Sequence, residues 1–117
     1  MAPTPATDAP TLDAEAFRAT WNSEPAAQRA LLADYARANA EDAAALREAA
    51  TQRNLDDIKR SAHRIAGAGQ IVAATGVVAA SRVVEAAARS GDWSATEAAL
   101  PALHAEIERV DAFIRSL

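Results

Sequence analysis

Alanine is the feature of this sequence that most limits what it can fold into. It occupies 34 of the 117 positions, whereas leucine, isoleucine, valine and phenylalanine together occupy only 21. Alanine has the highest helix propensity of all residues, and the glycines and prolines that interrupt helices number only four and five. We therefore expect an all-α chain with a thin core, folded as one small domain.

The charge balance and the missing residue types exclude several classes of protein. A formal net charge of −4 argues against nucleic acid as the main partner. The absence of cysteine excludes disulfides, thiolate metal sites and a cysteine nucleophile. The longest apolar stretch, residues 65–80, contains polar residues and glycines, and the N-terminus lacks a signal-peptide pattern. We expect a cytoplasmic domain that makes no direct contact with a membrane.

The first eleven residues differ in composition from the rest of the chain. Residues 1–11 contain three prolines and no leucine, isoleucine, valine or aromatic residue, which is typical of an extended leader or linker. A domain cut from a longer protein and a free-standing protein with a loose tail both fit this pattern. Residues 12–117 are expected to form the helical domain.

Helical periodicity in residues 12–117 predicts a short lead helix and four longer ones. The lead helix ends near Asn22, and the second runs from a cap at Ser23 to about Thr51. Asn54 is expected to cap the third helix. The remaining predicted boundaries are Thr75 to Ser90 for the fourth helix, stopped by Gly91, and a capping box of Ser94 and Glu97 for the last. Short loops between such helices favour an antiparallel up-and-down four-helix bundle.

One of the two histidines, His63, lies in an unusual setting. The segment AHRIAGAGQ at residues 62–70 places two glycines inside a predicted helix, at a cost of about 1 kcal/mol each relative to alanine. Residue i+4 lies one turn above residue i on the same face, so Gly67 leaves the imidazole of His63 uncovered. A partner's backbone and a phosphoryl group could therefore approach it. The other use of Gly67 and Gly69 is close packing between helices.

The residues that begin at His63 resemble the histidine phosphotransfer (HPt) domain. That family has an exposed histidine, an aliphatic residue at +2, lysine at +3, glycine at +4, small residues next, an apolar residue at +14, a cysteine or small residue at +18 and an acid or amide at +22. The corresponding residues here are His63, Ile65, Ala66, Gly67, Ala68 with Gly69, Val77, Ser81 and Glu85. The resemblance covers nearly the whole chain from residue 12.

The resemblance implies an intermediate of a phosphorelay. His63 is expected to accept a phosphoryl group from the aspartyl phosphate of a receiver domain and to pass it to an aspartate of a second receiver. Glu85 occupies the position that, in similar domains, accepts a hydrogen bond from Nδ1 of the histidine and leaves Nε2 free to attack. The domain is expected to need no cofactor of its own, because in this family the receiver supplies Mg²⁺ and most of the active site.

Two departures from the family's pattern affect the predicted chemistry. The +3 lysine, which helps to neutralise the phosphoryl oxygens, is Ala66 here, and the glycine often found at +10 is Ala73. We hypothesise that arginines replace the missing cation. Arg60, three residues before the histidine, and Arg82, three residues before the acid, are the leading candidates, and Arg89 is a further one.

The predicted docking face for a receiver surrounds His63. It is expected to consist of small and apolar residues with charges at the rim. The candidates are Gly67, Ala66, Ala68 and Gln70, together with Ile65, Ile71 and Val72, some of which must instead face the core. The leader suggests that the domain is the C-terminal module of a hybrid sensor histidine kinase, whose parent protein could be anchored in a membrane.

Two other classes of function fit the residues less well. A non-catalytic docking module would keep the bundle without phosphotransfer, and it differs from a carrier in whether His63 becomes phosphorylated. An enzyme with His63 and Glu85 as an acid–base pair is disfavoured, because the sequence indicates neither a concave pocket nor a second catalytic group. His104 has no comparable neighbours and is assigned no role, and no third ligand indicates a metal site with His63.

Overall fold

A computed structural model describes residues 11–21 and 24–117, and over those residues the chain is helical with no strand. The five helices are α1 (Ala14–Thr20), α2 (Pro25–Thr51), α3 (Leu55–Ile71), α4 (Thr75–Arg89) and α5 (Trp93–Arg115). The leader predicted for residues 1–11 lies outside the described residues except for Thr11, and so does the predicted cap at Ser23.

Helices α2 to α5 form the bundle. Helices α3, α4 and α5 each pack against the helix before them in the chain, and α5 also packs against α2, which closes the ring. Their loops span only residues 52–54, 72–74 and 90–92, so consecutive helices run antiparallel. The short α1 is tied to one end of the bundle, where the backbone N–H of Asp13 donates to the carbonyl of Ala73 at 2.8 Å. The predicted fold, a four-helix bundle with an additional short N-terminal helix, is confirmed.

The core is thin, as the composition predicts. Its largest fully buried side chains come from α2, α3, α4, α5 and the loop after α3. On α5 the residues that face this core are Leu100, Leu103, Ile107 and Val110. Alanines fill much of the remaining interface, which allows the helices to pack closely with few bulky residues.

The N-cap of α3 is the residue predicted from the sequence, whereas the N-cap of α5 is a different residue. Asn54 caps α3 as predicted, since its side chain accepts the backbone N–H of Asp57 at 3.1 Å. The predicted capping box of Ser94 and Glu97 is wrong. Asp92 is the N-cap of α5 and accepts the backbone N–H of Ala95 at 3.0 Å, so the helix begins two residues earlier than expected. An aspartate directly after the preceding turn is as effective an N-cap as serine.

The three loops of the bundle share one conformation. In each, the middle residue has a positive φ, which is 52° at Arg53, 59° at Ala73 and 76° at Gly91. Its backbone N–H donates to the carbonyl three residues earlier, and the next N–H donates to the carbonyl five residues earlier. This is the Schellman arrangement that ends a helix, and the residue after the turn is at once the N-cap of the next helix.

Two glycine-to-alanine variants should change the free energy of unfolding in opposite directions. A Cβ added at Gly91 or at Gly67 would meet no atom within 4 Å, so only the backbone conformation distinguishes the two positions. Gly91→Ala should destabilise the domain by about 1 kcal/mol, because φ is left-handed there. Gly67→Ala, inside α3, should stabilise it by about 0.5 to 1 kcal/mol. Urea denaturation followed by circular dichroism measures both, and shifts of equal sign would contradict the assignment of backbone strain to residue 91.

Candidate functional site

His63 stands in the middle of α3 with its imidazole directed outwards. Its side chain is 68% exposed. The opposite stripe of α3 is buried in the core and includes Ile58, Ala62, Ile65 and Gly69. Because a helix advances about 100° per residue, this apolar stripe determines which way His63 points.

Glu85 of α4 lies beside His63. Its Oε2 is 2.8 Å from Nδ1 of His63, although 22 residues separate them in the sequence. The Glu85 side chain is only 7% exposed, which is unusual for a carboxylate. The two helices therefore bring together the histidine and the acid that the sequence singles out, and this contact leaves Nε2 of the imidazole as the ring nitrogen not engaged by Glu85.

Two arginines of α4 compensate the charge of Glu85. Arg82 donates from Nη1 to Oε1 at 3.1 Å, and Arg89 donates from Nη2 to Oε2 at 3.0 Å. They lie one turn before and one turn after Glu85 on the same helix face. A buried carboxylate is costly unless it is paired and hydrogen-bonded, and here both oxygens have charged or polar partners.

These contacts determine the ionisation of Glu85. Burial by itself would raise the pKa of Glu85, but hydrogen bonds from His63 and Arg82, with the charges of His63 and Arg89, outweigh burial and hold the pKa below its ordinary value. Glu85 is therefore an ionised carboxylate at neutral pH and an acceptor for the proton on Nδ1. An ionised acceptor fixes the imidazole more strongly than a neutral one does.

The lowered pKa of Glu85 predicts a pH-dependent contribution to stability. A carboxylate whose pKa is lower in the folded state stabilises the fold above its unfolded pKa of about 4.3, and this stabilisation disappears as the pH falls through the folded-state pKa. The gap in unfolding free energy between the wild type and Glu85→Gln should thus be largest near neutrality and shrink in acid. Urea denaturation across this pH range measures it, and the shrinkage should weaken when Arg82 and Arg89 are alanine. A gap independent of pH would contradict the prediction.

The structure separates the roles of the two glycines near His63. A Cβ added at Gly69 would lie 3.0 Å from Cγ2 of Val78 in α4, so this glycine allows close helix packing. A Cβ added at Gly67 would meet nothing within 4 Å, so packing gives no reason for a glycine there. Gly67 leaves open space one turn above His63.

The predicted docking face needs correction at one alanine. Ala66 is completely buried and cannot touch a partner. Ala68 is half-buried and packs partly against the core, so only part of its surface is accessible. Gln70 is exposed, and so is Ile71, with 55% of its surface accessible. The alternation of small and large residues in the sequence could not reveal which flank of α3 contacts α4.

The structure does not bring all the candidate arginines together. Arg60 pairs with Asp57 at 2.5 Å and lines a groove between α3 and α2. With about 100° per residue, Arg60 and Ala66 lie about 60° to opposite sides of His63. The hypothesis that Arg60 replaces the lysine therefore has no support from its position, whereas Arg82 and Arg89 both contact Glu85.

Along the bundle axis, Arg82 of α4 lies level with Ala66 of α3, the position at which the family has a lysine. Helices α3 and α4 are antiparallel, with His63 beside Glu85 and position 69 beside Val78. Residue 66, halfway between, is therefore level with residues 81 and 82. Arg82 therefore lies towards the same end of α3 as Gly67, and its side chain is 44% exposed.

The remaining features of the described residues do not add to this site. His104 is half-buried on α5, and burial, followed by the charge of Arg47, lowers its pKa. No group of three or more His, Cys, Asp or Glu residues within 11–21 and 24–117 could hold a metal ion. Over the same part of the chain, no helix combines the length and apolar character that crossing a membrane requires. Surface clefts of about 160 to 260 Å³ are lined by residues other than His63 and Glu85.

A helical bundle that displays one histidine, held by a buried acid on the neighbouring helix, defines the class of this protein. Comparison with protein families gives the same result, since the family model of the Hpt domain matches residues 30–113. The chain belongs to the Hpt domain family, and histidine phosphotransfer in phosphorelays, with receiver domains of response regulators as partners, is the function of that family. Searches of curated proteins and of solved structures found no match.

Proposed function

We propose that this domain carries a phosphoryl group between two receiver domains and that His63 is the residue that becomes phosphorylated. The observation that supports this most directly is the pair of His63, 68% exposed, and Glu85, 7% exposed, at 2.8 Å. The geometry is that of an accessible nucleophile whose second ring nitrogen is held by a buried carboxylate. The same pairing of a histidine with an orienting acid activates nucleophiles and bases in many enzymes.

The proposed transfer balances as follows. Nε2 of His63 attacks the phosphorus of the receiver's aspartyl phosphate, a Nε2–P bond forms, and the P–O bond to the aspartate breaks. The aspartate leaves as a carboxylate, so no proton has to move. The imidazole keeps its proton on Nδ1 and gains positive charge, which the ionised Glu85 balances. Transfer to the second receiver is the reverse of these steps.

The charge on the phosphoryl oxygens requires a cation, and we assign that role to Arg82. The family's lysine position is the buried Ala66, so no side chain there can reach a ligand. Arg82 lies level with Ala66 and is partly exposed. Arginine presents several donors in a planar fork that suits phosphoryl oxygens.

The receiver supplies the rest of the site in this proposal. We expect Mg²⁺ to be bound by the receiver, where it would balance charge on the transferred group. The receiver would dock over the open space at Gly67, with Gln70 and Ile71 further along the same exposed side of α3. We further propose that the domain works in the cytoplasm as a module of a hybrid sensor histidine kinase.

Phosphotransfer from labelled receivers tests the proposal. The folded domain is mixed with a panel of receivers that carry Mg²⁺ and a labelled aspartyl phosphate, and label on the domain should be labile in acid and stable in base. A second, unlabelled receiver should then remove it. No transfer from any receiver, with binding measured in parallel, would overturn the carrier role.

The second candidate is a docking module that binds receivers without phosphotransfer. The specific observation in its favour is the buried Ala66 at the position of the family's lysine. In that case the domain binds receivers in the parallel measurement and takes no label. The two candidates therefore give opposite results in one assay.

A further inference from the structure

The two arginines at Glu85 contact different oxygens, and the difference matters for the histidine. Arg89 donates at 3.0 Å to Oε2, which is the same oxygen that lies 2.8 Å from Nδ1 of His63. Arg82 donates at 3.1 Å to Oε1, which His63 does not touch. Both oxygens of the carboxylate are thus bound by an arginine, and only Oε2 also contacts the imidazole of His63.

We propose that the two arginines have separate functions: Arg89 positions Glu85 against His63, and Arg82 binds the phosphoryl group. This inference rests on the proposed function and divides it between two side chains. Arg82 and Arg89 thus differ in function, although both lie on the same face of α4 and both neutralise Glu85.

The positioning role of Arg89 follows from the oxygen that it shares with His63. Without Arg89, the only arginine of the described part of the chain on the carboxylate is Arg82 at Oε1, and Oε2 is held by His63 alone. The carboxylate can then rotate more freely about χ3, a torsion with a broad energy minimum in glutamate. Nδ1 of His63 then loses its fixed acceptor. Arg89 lies one turn beyond Glu85, on the side of His63 away from Gly67, so it is distant from the open space through which we expect the phosphoryl group to enter.

The binding role of Arg82 follows from its height and its unused donors. Its backbone lies level with Ala66, towards the same end of α3 as Gly67, and its side chain is 44% exposed. Among the described residues its contact is the single bond from Nη1 to Glu85, and a guanidinium has five N–H donors. Arg82 can therefore keep its bond to Oε1 while other N–H groups meet phosphoryl oxygens. A bound dianion would compete little with Oε1, because the donors differ.

A double-mutant cycle with Glu85 distinguishes the two functions. Arg89→Ala should lower the rate of transfer from the phosphorylated receiver by about tenfold in the wild-type background but by less than about twofold in Glu85→Ala, since its effect passes through Glu85. Arg82→Ala should lower the rate by about tenfold in both backgrounds, as expected for direct contact with the transferred group. Arg115→Ala is the matched control, because Arg115 pairs with Asp111 four residues earlier on α5 and its removal takes away the same charge.

The imidazole itself gives a second readout that requires no receiver. In ¹⁵N spectra of the free domain, Arg89→Ala should shift the tautomer balance of His63 away from the form protonated on Nδ1, and Arg89→Lys should restore part of it. Arg82→Ala should leave that balance close to the wild type. These signals report on the ring and not on overall stability, which circular dichroism monitors separately.

The outcomes separate failure of this inference from failure of the proposed function. If the wild type takes no label, the carrier function fails, and the ¹⁵N spectra still test whether Arg89 positions Glu85. An equal loss for Arg89→Ala in both backgrounds would overturn the positioning role. A loss for Arg82→Ala that disappears in Glu85→Ala would overturn direct phosphoryl binding by Arg82.

Discussion

Replacing His63 by glutamine is expected to abolish phosphorylation of the domain. Glutamine has no nucleophilic nitrogen, so no phosphoryl group can be taken from a receiver, whatever the state of the rest of the site. The side chain is 68% exposed, and Glu85 keeps Arg82 and Arg89 as partners. The free energy of unfolding should therefore change by no more than about 0.5 kcal/mol. The measurement is incorporation of label from a phosphorylated, Mg²⁺-loaded receiver.

The second histidine of the chain is the control for this variant. His104 lies half-buried on α5, where the charges that act on it are those of Arg47 and Glu108, and His104→Gln should be labelled to the same extent as the wild type. Receiver binding by His63→Gln, measured by calorimetry, should persist because the docking face is intact. Label that remains on His63→Gln and disappears from His104→Gln would contradict the assignment of the phosphorylated residue.

Replacing Gly67 by leucine is expected to reduce both receiver binding and phosphotransfer by at least about tenfold, equivalent to 1.4 kcal/mol of interaction free energy. Side chains on a helix lean towards its N-terminus, so a leucine at position 67 would extend over His63, one turn below. A Cβ there meets nothing within the domain, so the fold should be at least as stable as the wild type. The result to look for is a loss of binding in calorimetry together with a higher midpoint in urea denaturation.

Gly69 provides the comparison for Gly67. A Cβ at this position would lie 3.0 Å from Cγ2 of Val78, so Gly69→Ala should destabilise the domain by about 1 kcal/mol after the gain in helix propensity. Because Gly69 is buried, the exposed surface around His63 should stay the same and receiver affinity should stay near that of the wild type. Loss of affinity in Gly69→Ala but not in Gly67→Leu would show that the docking face lies elsewhere.

Some of the candidate site was predictable from local sequence. Two glycines within one predicted helix single out His63, and the position of Gly67 one turn above it predicts an uncovered imidazole. The choice of Glu85 came from the resemblance to the HPt domain, because no local rule relates residues 63 and 85. The structure then shows the contact between them at 2.8 Å.

Other parts of the site could not be predicted, because they depend on the rotation of α3 against its neighbours. Arg60 and Arg82 are equally close in sequence to His63 and Glu85, but Arg60 faces α2 and pairs with Asp57, whereas Arg82 contacts Glu85. Ala66 looked like part of an open surface and is completely buried. Side chains one or two positions apart on a helix point about 100° or 200° away from each other, so neighbouring residues can face solvent and core respectively.

The helical class, the number of helices, the end of α2 at Thr51 and the cap at Asn54 follow from local sequence, because propensity, periodicity and capping act within a few residues. Helix packing places Gly67 against open space and Gly69 against α4, and it brings Arg89 and His63 to the same oxygen of Glu85. These contacts join residues on different helices. Their geometry depends on how side chains of the core interlock between α3 and α4, which no short-range rule contains.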